Sequence, residues 1–365
     1  MKFRCERDVL VEALTTASRA TSGRERMPVL AGARLEITGD RLHVKATDLD
    51  LTIEVEATVA GIADGVTVIP AKLAADIVRA LEPGAVTVDA DADEARIASG
   101  RSQFAVRVLP SDEFPKLLGP PSEDAVVVAA GELADALRQV VRAASSDEGR
   151  PPLTGVLFAA IEGGVQLAAT DSYRLAMRDL PGVRLVRDDQ RVLIPSRALG
   201  ELLRVLSSAG EVAIRLGTTD ASFEIGAVRL TTRLIEQEFP NVKNIFPSSY
   251  PNKLTIGRVP LLDALKRVKL LVRDQNTPVK LSFRPDGVEL TVTNPAEGTA
   301  TEDVEAKYEG AEMSMAFNPT YLIEGIEAIT ADEVTLETVD ALKASTLRGA
   351  DKNDYLYLLM PVRVP

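Results

Sequence analysis

Tryptophan is absent from this 365-residue chain, and cysteine and histidine occur once each. One thiol cannot close an internal disulfide, which excludes the stapled scaffold of a small secreted domain. Cys5 falls in what reads as the first strand, where a buried structural thiol is expected. His43 lies in the alternating run HVKATD with no cysteine or second histidine to share a metal, so a strand-face role is expected. No uncharged stretch is long enough to span a bilayer. The opening MKFRCERDVL carries charges at Lys2, Arg4, Glu6 and Arg7, which the apolar segment of a secretory leader does not tolerate. These absences lead to the expectation of a soluble, cytoplasmic protein without membrane contact. Gly-rich phosphate loops and G-x-S-x-G elbows are also missing. The acidic run Asp89, Asp91, Asp93 and Glu94 lacks the glycine of a calcium loop and sits between two strand-like runs. It reads as a solvated hairpin. No metal, cofactor or catalytic site is expected.

What the chain does have is repetition. Thr47-Asp48 returns at Thr170-Asp171, Ile69-Pro70 at Ile194-Pro195, and Phe114-Pro115 at Phe239-Pro240, a spacing of roughly 125 residues. Thr293-Asn294 and Phe317-Asn318 mark a weaker third copy. Each copy opens with an amphipathic helix: Val9, Leu10, Ala13, Leu14 and Ala17 share one face, then Leu133 to Ala144, then Leu261 to Val272. A hairpin follows each, with turns expected at Gly39-Asp40, Gly163-Gly164 and Asp286-Gly287, dipeptides suited to positive φ. A second helix follows, with Leu73, Ile77 and Leu81 as the expected buried face in the first copy. More hairpins complete each unit, so the chain reads as six copies of one helix-plus-strands unit. Linkers at LLGPPSED and FPSSYPNK divide it into residues 1–120, 126–248 and 251–365. The fold class is α+β, three repeated domains each packing two helices on antiparallel sheets.

The formal charge of −12 opposes nucleic-acid binding unless the positive groups are segregated. The six helical stretches sum to about +4, leaving about −16 on strands and loops. Most of that excess comes from one helix, with Arg258, Lys266, Arg267, Lys269 and Arg273 against Asp263.

Several separated motifs then occur in order: MKF with the RDVLVEAL helix, MPVLAG, ATDSYRLAM, EFPNV, AFNPTYL and the terminal YLYLLMPVRV. With these the whole chain resembles the bacterial DNA sliding clamps, the β subunits of DNA polymerase III. The resemblance implies a head-to-tail homodimer, a ring of six domains with twelve helices lining its hole. Such a ring encloses double-stranded DNA, confers processivity on the replicative polymerase, and has no catalysis of its own. It also implies a nucleoid-associated protein opened by a separate ATP-driven loader. A ring must slide, which suits sequence-independent phosphate contacts and few base-reading groups.

The resemblance further implies a surface pocket for linear peptides of the polymerase α subunit, the clamp loader, repair polymerases, and ligase or mismatch-repair proteins. Matching motifs would line it with Arg150, Leu153, Thr170, Ser172, Tyr173, Arg174 and Leu175. Pro240, Val242 and Ile245 would join, with Asn318, Tyr321, Met360, Pro361, Val362 and Arg363. Two large apolar side chains buried there would contribute roughly 3–6 kcal/mol. Micromolar binding needs about −8 kcal/mol, so backbone hydrogen bonds would supply the rest. DNA contacts are expected first at Arg24, from GRERMPVL, then at Arg26, Lys72, Arg150, Arg197, Arg267 and Lys269.

Ring closure would pair the edge strand QFAVRVL with the third domain near Leu270, Leu271 and NPAEGTATEDV. Phe104 and Val106 would supply apolar contact, with Arg101 or Arg107 facing Glu302 or Asp303. That third-domain segment is poorer in glutamate than in some family members, which lowers the charge contribution at the seam. Two rival readings are a duplicate clamp with a protective (inhibitor-resistance) or regulatory role, and a hydrolase using Asp48, Asp50 and Asp171.

Overall fold

Alternating apolar residues build hairpins at all three repeated places. The computed structural model describes residues 1–21, 27–188, 190–206, 210–242, 245–274, 277–351 and 354–363. Gly39 (φ 56°) and Gly163 (φ 74°) turn the first two hairpins in the left-handed region. The third differs from expectation. Its turn residues are Pro285 and Asp286, and Gly287 opens the returning strand without a positive φ. Glycine is needed there because a Cβ would stand 2.8 Å from the Val304 carbonyl oxygen of the next strand.

Six α-helices occur among the described residues: α1 (Arg7–Ser18), α2 (Ala71–Ala80), α3 (Ala130–Val140), α4 (Ser196–Leu206), α5 (Arg258–Val268) and α6 (Pro319–Glu327). None of them is long and apolar enough to cross a membrane. On α1 the buried face is Leu10, Ala13, Leu14, Thr16 and Ala17, and Val9 is exposed instead of joining it. The face of α2 is likewise rotated. Ala71, Ala74, Ala75 and Val78 are buried, Leu81 lies buried just beyond, Ile77 is half-buried and Leu73 is exposed. Small alanines let the helix approach α1 closely, and that contact outweighs the burial of one leucine.

The helical charge also differs from expectation. The sequences of α1 and α3 carry −1 each, α2 and α4 +1 each, α5 +2 and α6 −2, so they cancel. The missing positives sit just past helix ends: Arg19 caps α1, Arg142 follows α3, and Lys269 caps α5. There they complement the negative end of the helix dipole.

The chain divides into two compact units, Met1–Glu132 with Gly200–Leu234, and Leu133–Leu199 with Ile235–Pro365. The first holds a five-stranded sheet ordered Ala60–Ala63, Lys2–Glu6, Ala85–Ala90, Glu94–Ser99, Ser102–Arg107. It also holds an eight-stranded sheet in which Val228–Arg233 pairs with Leu51–Thr58, Leu230 opposite Ile53. The second unit has one twelve-stranded sheet, in which Arg174–Pro181 pairs with Tyr355–Leu359, Leu175 opposite Leu358. All the strand pairs are antiparallel. Each of the two larger sheets unites strands of two successive repeats, so compactness follows sheet continuity while the repeat follows chain order.

Phe3, Phe223, Leu35 and Leu42 fill the first unit, and Phe158, Phe283 and Phe317 the second. Every one of the six tyrosines lies in the second unit. Cys5 is buried, and burial, with Glu6 adding to it, pushes its thiol up to about 11, which leaves little reactive thiolate at neutral pH.

Candidate functional site

The segment Thr170–Arg174 folds into a tight turn because its own side chains replace backbone partners. Thr170 Oγ1 donates to the Arg174 carbonyl (2.6 Å), and Asp171 Oδ1 accepts from the N–H groups of Tyr173 (2.9 Å) and Arg174 (3.0 Å). Ser172 takes a φ of 82°, which turns Tyr173 outward, 62% exposed. The exit strand Arg174–Pro181 then pairs with Tyr355–Leu359, and the Met360 N–H donates back to the Tyr173 carbonyl (2.9 Å). Thus the turn and the C-terminal segment meet edge to edge.

Beneath them lies an apolar cluster of Leu157, Ala168, Leu175, Leu193, Phe239, Ala344 and Leu358, with Val242 and Phe246 packed against it. Met360, Val362, Ile245 and Tyr173 are exposed. Pro240 and Arg363 are exposed, and Pro361 is half-buried. Val362 is held by its N–H to the Ala316 carbonyl (2.7 Å). Arg150 reaches Ser172 Oγ (3.2 Å) while paired with Asp147 (2.8 Å), and Leu153 is buried in the short turn that follows. An apolar cluster with exposed apolar side chains nearby in the chain suits the apolar residues of a peptide.

Asn318 and Tyr321 enter from α6. Asn318 caps that helix, its Oδ1 accepting from the N–H of Thr320 (2.9 Å) and Tyr321 (3.2 Å). Arg174 departs from its expected lining role: only 7% of it is exposed. Its Nε donates to Asp171 Oδ2 (3.1 Å), Nη1 to Glu324 and weakly to the Tyr357 hydroxyl (3.5 Å), and Nη2 to the Arg142 carbonyl. Its plane stacks 4.1 Å from the Tyr321 ring centroid. Burial opposes the charge, but Tyr357 and Glu324 hold its pKa above the ordinary arginine value. Burial likewise raises Tyr357. Glu324 and Tyr357 were not among the expected site residues. Their signals were the spacing of Glu324 three residues after Tyr321 on one helix face, and the alternation of YLYLL.

The expected DNA contacts are scattered over both units. Arg24 and Arg26 lie outside the described residues. Lys72 and Arg197 are exposed at the second position of α2 and α4. A cation there faces the positive end of the helix dipole. Lys269 begins the short turn after α5. Arg267 is committed elsewhere: it forms a two-pronged pair with Glu302 (2.7 and 2.9 Å).

The expected seam is altered by the same pair. Glu302 is held by Arg267, and Asp303 is paired with Arg284, so neither carboxylate waits for a partner's arginine. Val106 is buried opposite Ala95, while Phe104, on the same face two residues back and opposite Ile97, stays exposed. Arg101 and Arg107 are exposed, Leu270 is 74% exposed and Leu271 half-buried. Ser102–Arg107 is the outer strand of its sheet. In Gly298–Glu309, only Ala306–Glu309 pairs on the side of Asn252–Gly257. Among the described residues the rest of that side has no strand partner.

Asp48 and Asp171, candidates for a hydrolase, each accept backbone N–H groups within a turn. Among the described residues no group of three or more His, Cys, Asp or Glu side chains is placed to hold a metal.

Three family models match in succession: the DNA polymerase III beta subunit N-terminal domain over residues 1–118, its central domain over 127–241 and its C-terminal domain over 243–363. The chain is 35% identical to the beta sliding clamp of Streptomyces coelicolor over 382 residues, covering all of both chains. It is 31% identical to the beta sliding clamp of Staphylococcus aureus, covering 100% of this chain and 99% of that protein. Among solved structures, the sliding clamp of Bartonella birtlesii bound to griselimycin superposes with a TM-score of 0.93 at 30% identity over 100% of both chains.

Proposed function

The chain belongs to the DNA polymerase III beta subunit family and is a DNA sliding clamp, and from that premise we propose that two copies close head to tail around a duplex. The observation that carries this reading is the succession of all three clamp domains across the chain. Residues 1–120, 126–248 and 251–365 are the proposed domains. Closure would pair the outer strand Ser102–Arg107 of one copy with the open side of Gly298–Glu305 of the other. Phe104 and Leu270, both exposed, would be covered. Since Glu302 and Asp303 already hold Arg267 and Arg284, Arg101 and Arg107 would exchange partners with them instead of adding new pairs. The seam therefore relies on strand pairing and apolar contact, and its affinity should vary little with salt.

The protein has no catalytic role in this reading and stays on DNA by enclosure. Arg24, Arg26, Lys72, Arg197 and Lys269 would touch phosphates, while Arg267 would have to leave Glu302 to do so. The pocket over Leu175 and Leu358 would take linear peptides of the replicative polymerase, the clamp loader and repair proteins, and would also accept griselimycin. The protein would act in the cytoplasm, on the nucleoid.

The test is retention on DNA. Loaded onto circular duplex, the protein should survive a high-salt wash and run off once the circle is cut. Equal loss from circular and linear DNA would overturn enclosure. Phe104→Asp should give a monomer by light scattering and abolish retention.

A further inference from the structure

The peptide pocket has two walls from distant parts of the chain: the Thr170–Arg174 turn, and the first turn of α6 with Asn318 and Tyr321. One buried cation stands between them. Resting on the pocket reading above, we propose that Arg174 is a positioning residue: it fixes the first turn of α6 against the Thr170–Arg174 turn and so sets the width of the peptide pocket from behind.

Three observations carry this. First, the turn does not need an arginine. The Thr47–Leu51 turn makes the same bonds, Thr47 Oγ1 to the Leu51 carbonyl (3.0 Å) and the Leu51 N–H to Asp48 Oδ1 (2.8 Å), and ends in a leucine. Second, the guanidinium is nearly spent. Of its five N–H groups, at most one remains after Asp171, Glu324, Tyr357 and the Arg142 carbonyl, and one face is covered by Tyr321. It has almost nothing left to offer a ligand. Third, its partners fix α6 at several points. Glu324 and Tyr321 are on that helix, and the Tyr357 hydroxyl donates to the Tyr321 carbonyl (2.9 Å). Gly325 rests on Tyr357 so closely that a Cβ would stand 2.5 Å from its ring. Depth and rotation of the helix are thereby set by the strand that also forms the pocket floor.

The planar fork is what makes this possible. It bonds both carboxylates and a carbonyl in one plane while stacking on a ring, which an ammonium cannot do. The experiment uses full-length protein and a fluorescent synthetic peptide from the C-terminal tail of the replicative polymerase. Glu324→Gln and Arg174→Lys should each weaken peptide binding by about tenfold. The double variant should be no weaker than either alone, since both loosen the same contact. Hydrogen exchange at the Thr320 and Tyr321 amides should quicken in both variants without peptide present, and Gly325→Ala should reproduce both effects. A folded Glu324→Gln protein with unchanged affinity and unchanged exchange overturns the proposal, as do additive losses, which would mean that Arg174 touches the peptide directly. Failure of the unaltered protein to bind the peptide sinks the pocket reading instead, and the exchange data still decide whether Arg174 holds α6.

Discussion

In the Thr47–Leu51 turn of the first unit and the Thr170–Arg174 turn of the second, the third residue takes a left-handed φ, 86° at Leu49 and 82° at Ser172. Both open with Thr-Asp, and both close the same hydrogen bonds. Beyond that they part. Leu51 enters an apolar core, while Arg174 enters a cage of two carboxylates and three aromatic or carbonyl partners. The residues that repeat make the backbone, and the residues that do not repeat make the site. The second unit keeps the corner of the first and changes only what hangs from it.

That contrast can be broken most sharply at the last turn residue. Arg174→Ala should cost about 3–5 kcal/mol, because buried Asp171 and half-buried Glu324 would be left without their cation. Leu51→Ala should cost about 2–4 kcal/mol through a cavity. Denaturant unfolding measures both, and only the first should impair peptide binding. Next, Asp48→Ala should cost about 1–2 kcal/mol for two backbone N–H groups that lose their acceptor, and Asp171→Ala more, since Arg174 loses a partner as well. Equal costs would mean the two corners are energetically alike. The smallest effect lies at the strained residue. Leu49→Gly should be neutral or stabilising by about 1 kcal/mol, relieving a positive φ on a bulky side chain. Ser172→Gly should do the same for stability, yet loosen Tyr173 and lower peptide affinity.

Much of this could be read in the residues. The hairpin turns at Gly39 and Gly163 and the two helices of each repeat follow local chemistry. What could not be read depended on contacts between remote segments. Helical spacing placed Val9 and Leu73 on buried faces, but the approach of α1 and α2 through alanines chose another side. Motif matching put Arg174 on the pocket lining, because nothing near it in the chain shows that Glu324 and Tyr357 will enclose it. Glu302 and Asp303 looked available to a second copy for the same reason: Arg267 is remote in sequence, and Arg284 meets Asp303 only by reaching across an intervening strand.

The placement of the tyrosines has a practical consequence. With no tryptophan in the chain, tyrosine dominates its ultraviolet emission, and every tyrosine belongs to the second unit. A melt followed by tyrosine fluorescence therefore watches the second unit, while calorimetry registers heat from both. Any gap between the two traces would show whether the halves come apart together or in turn.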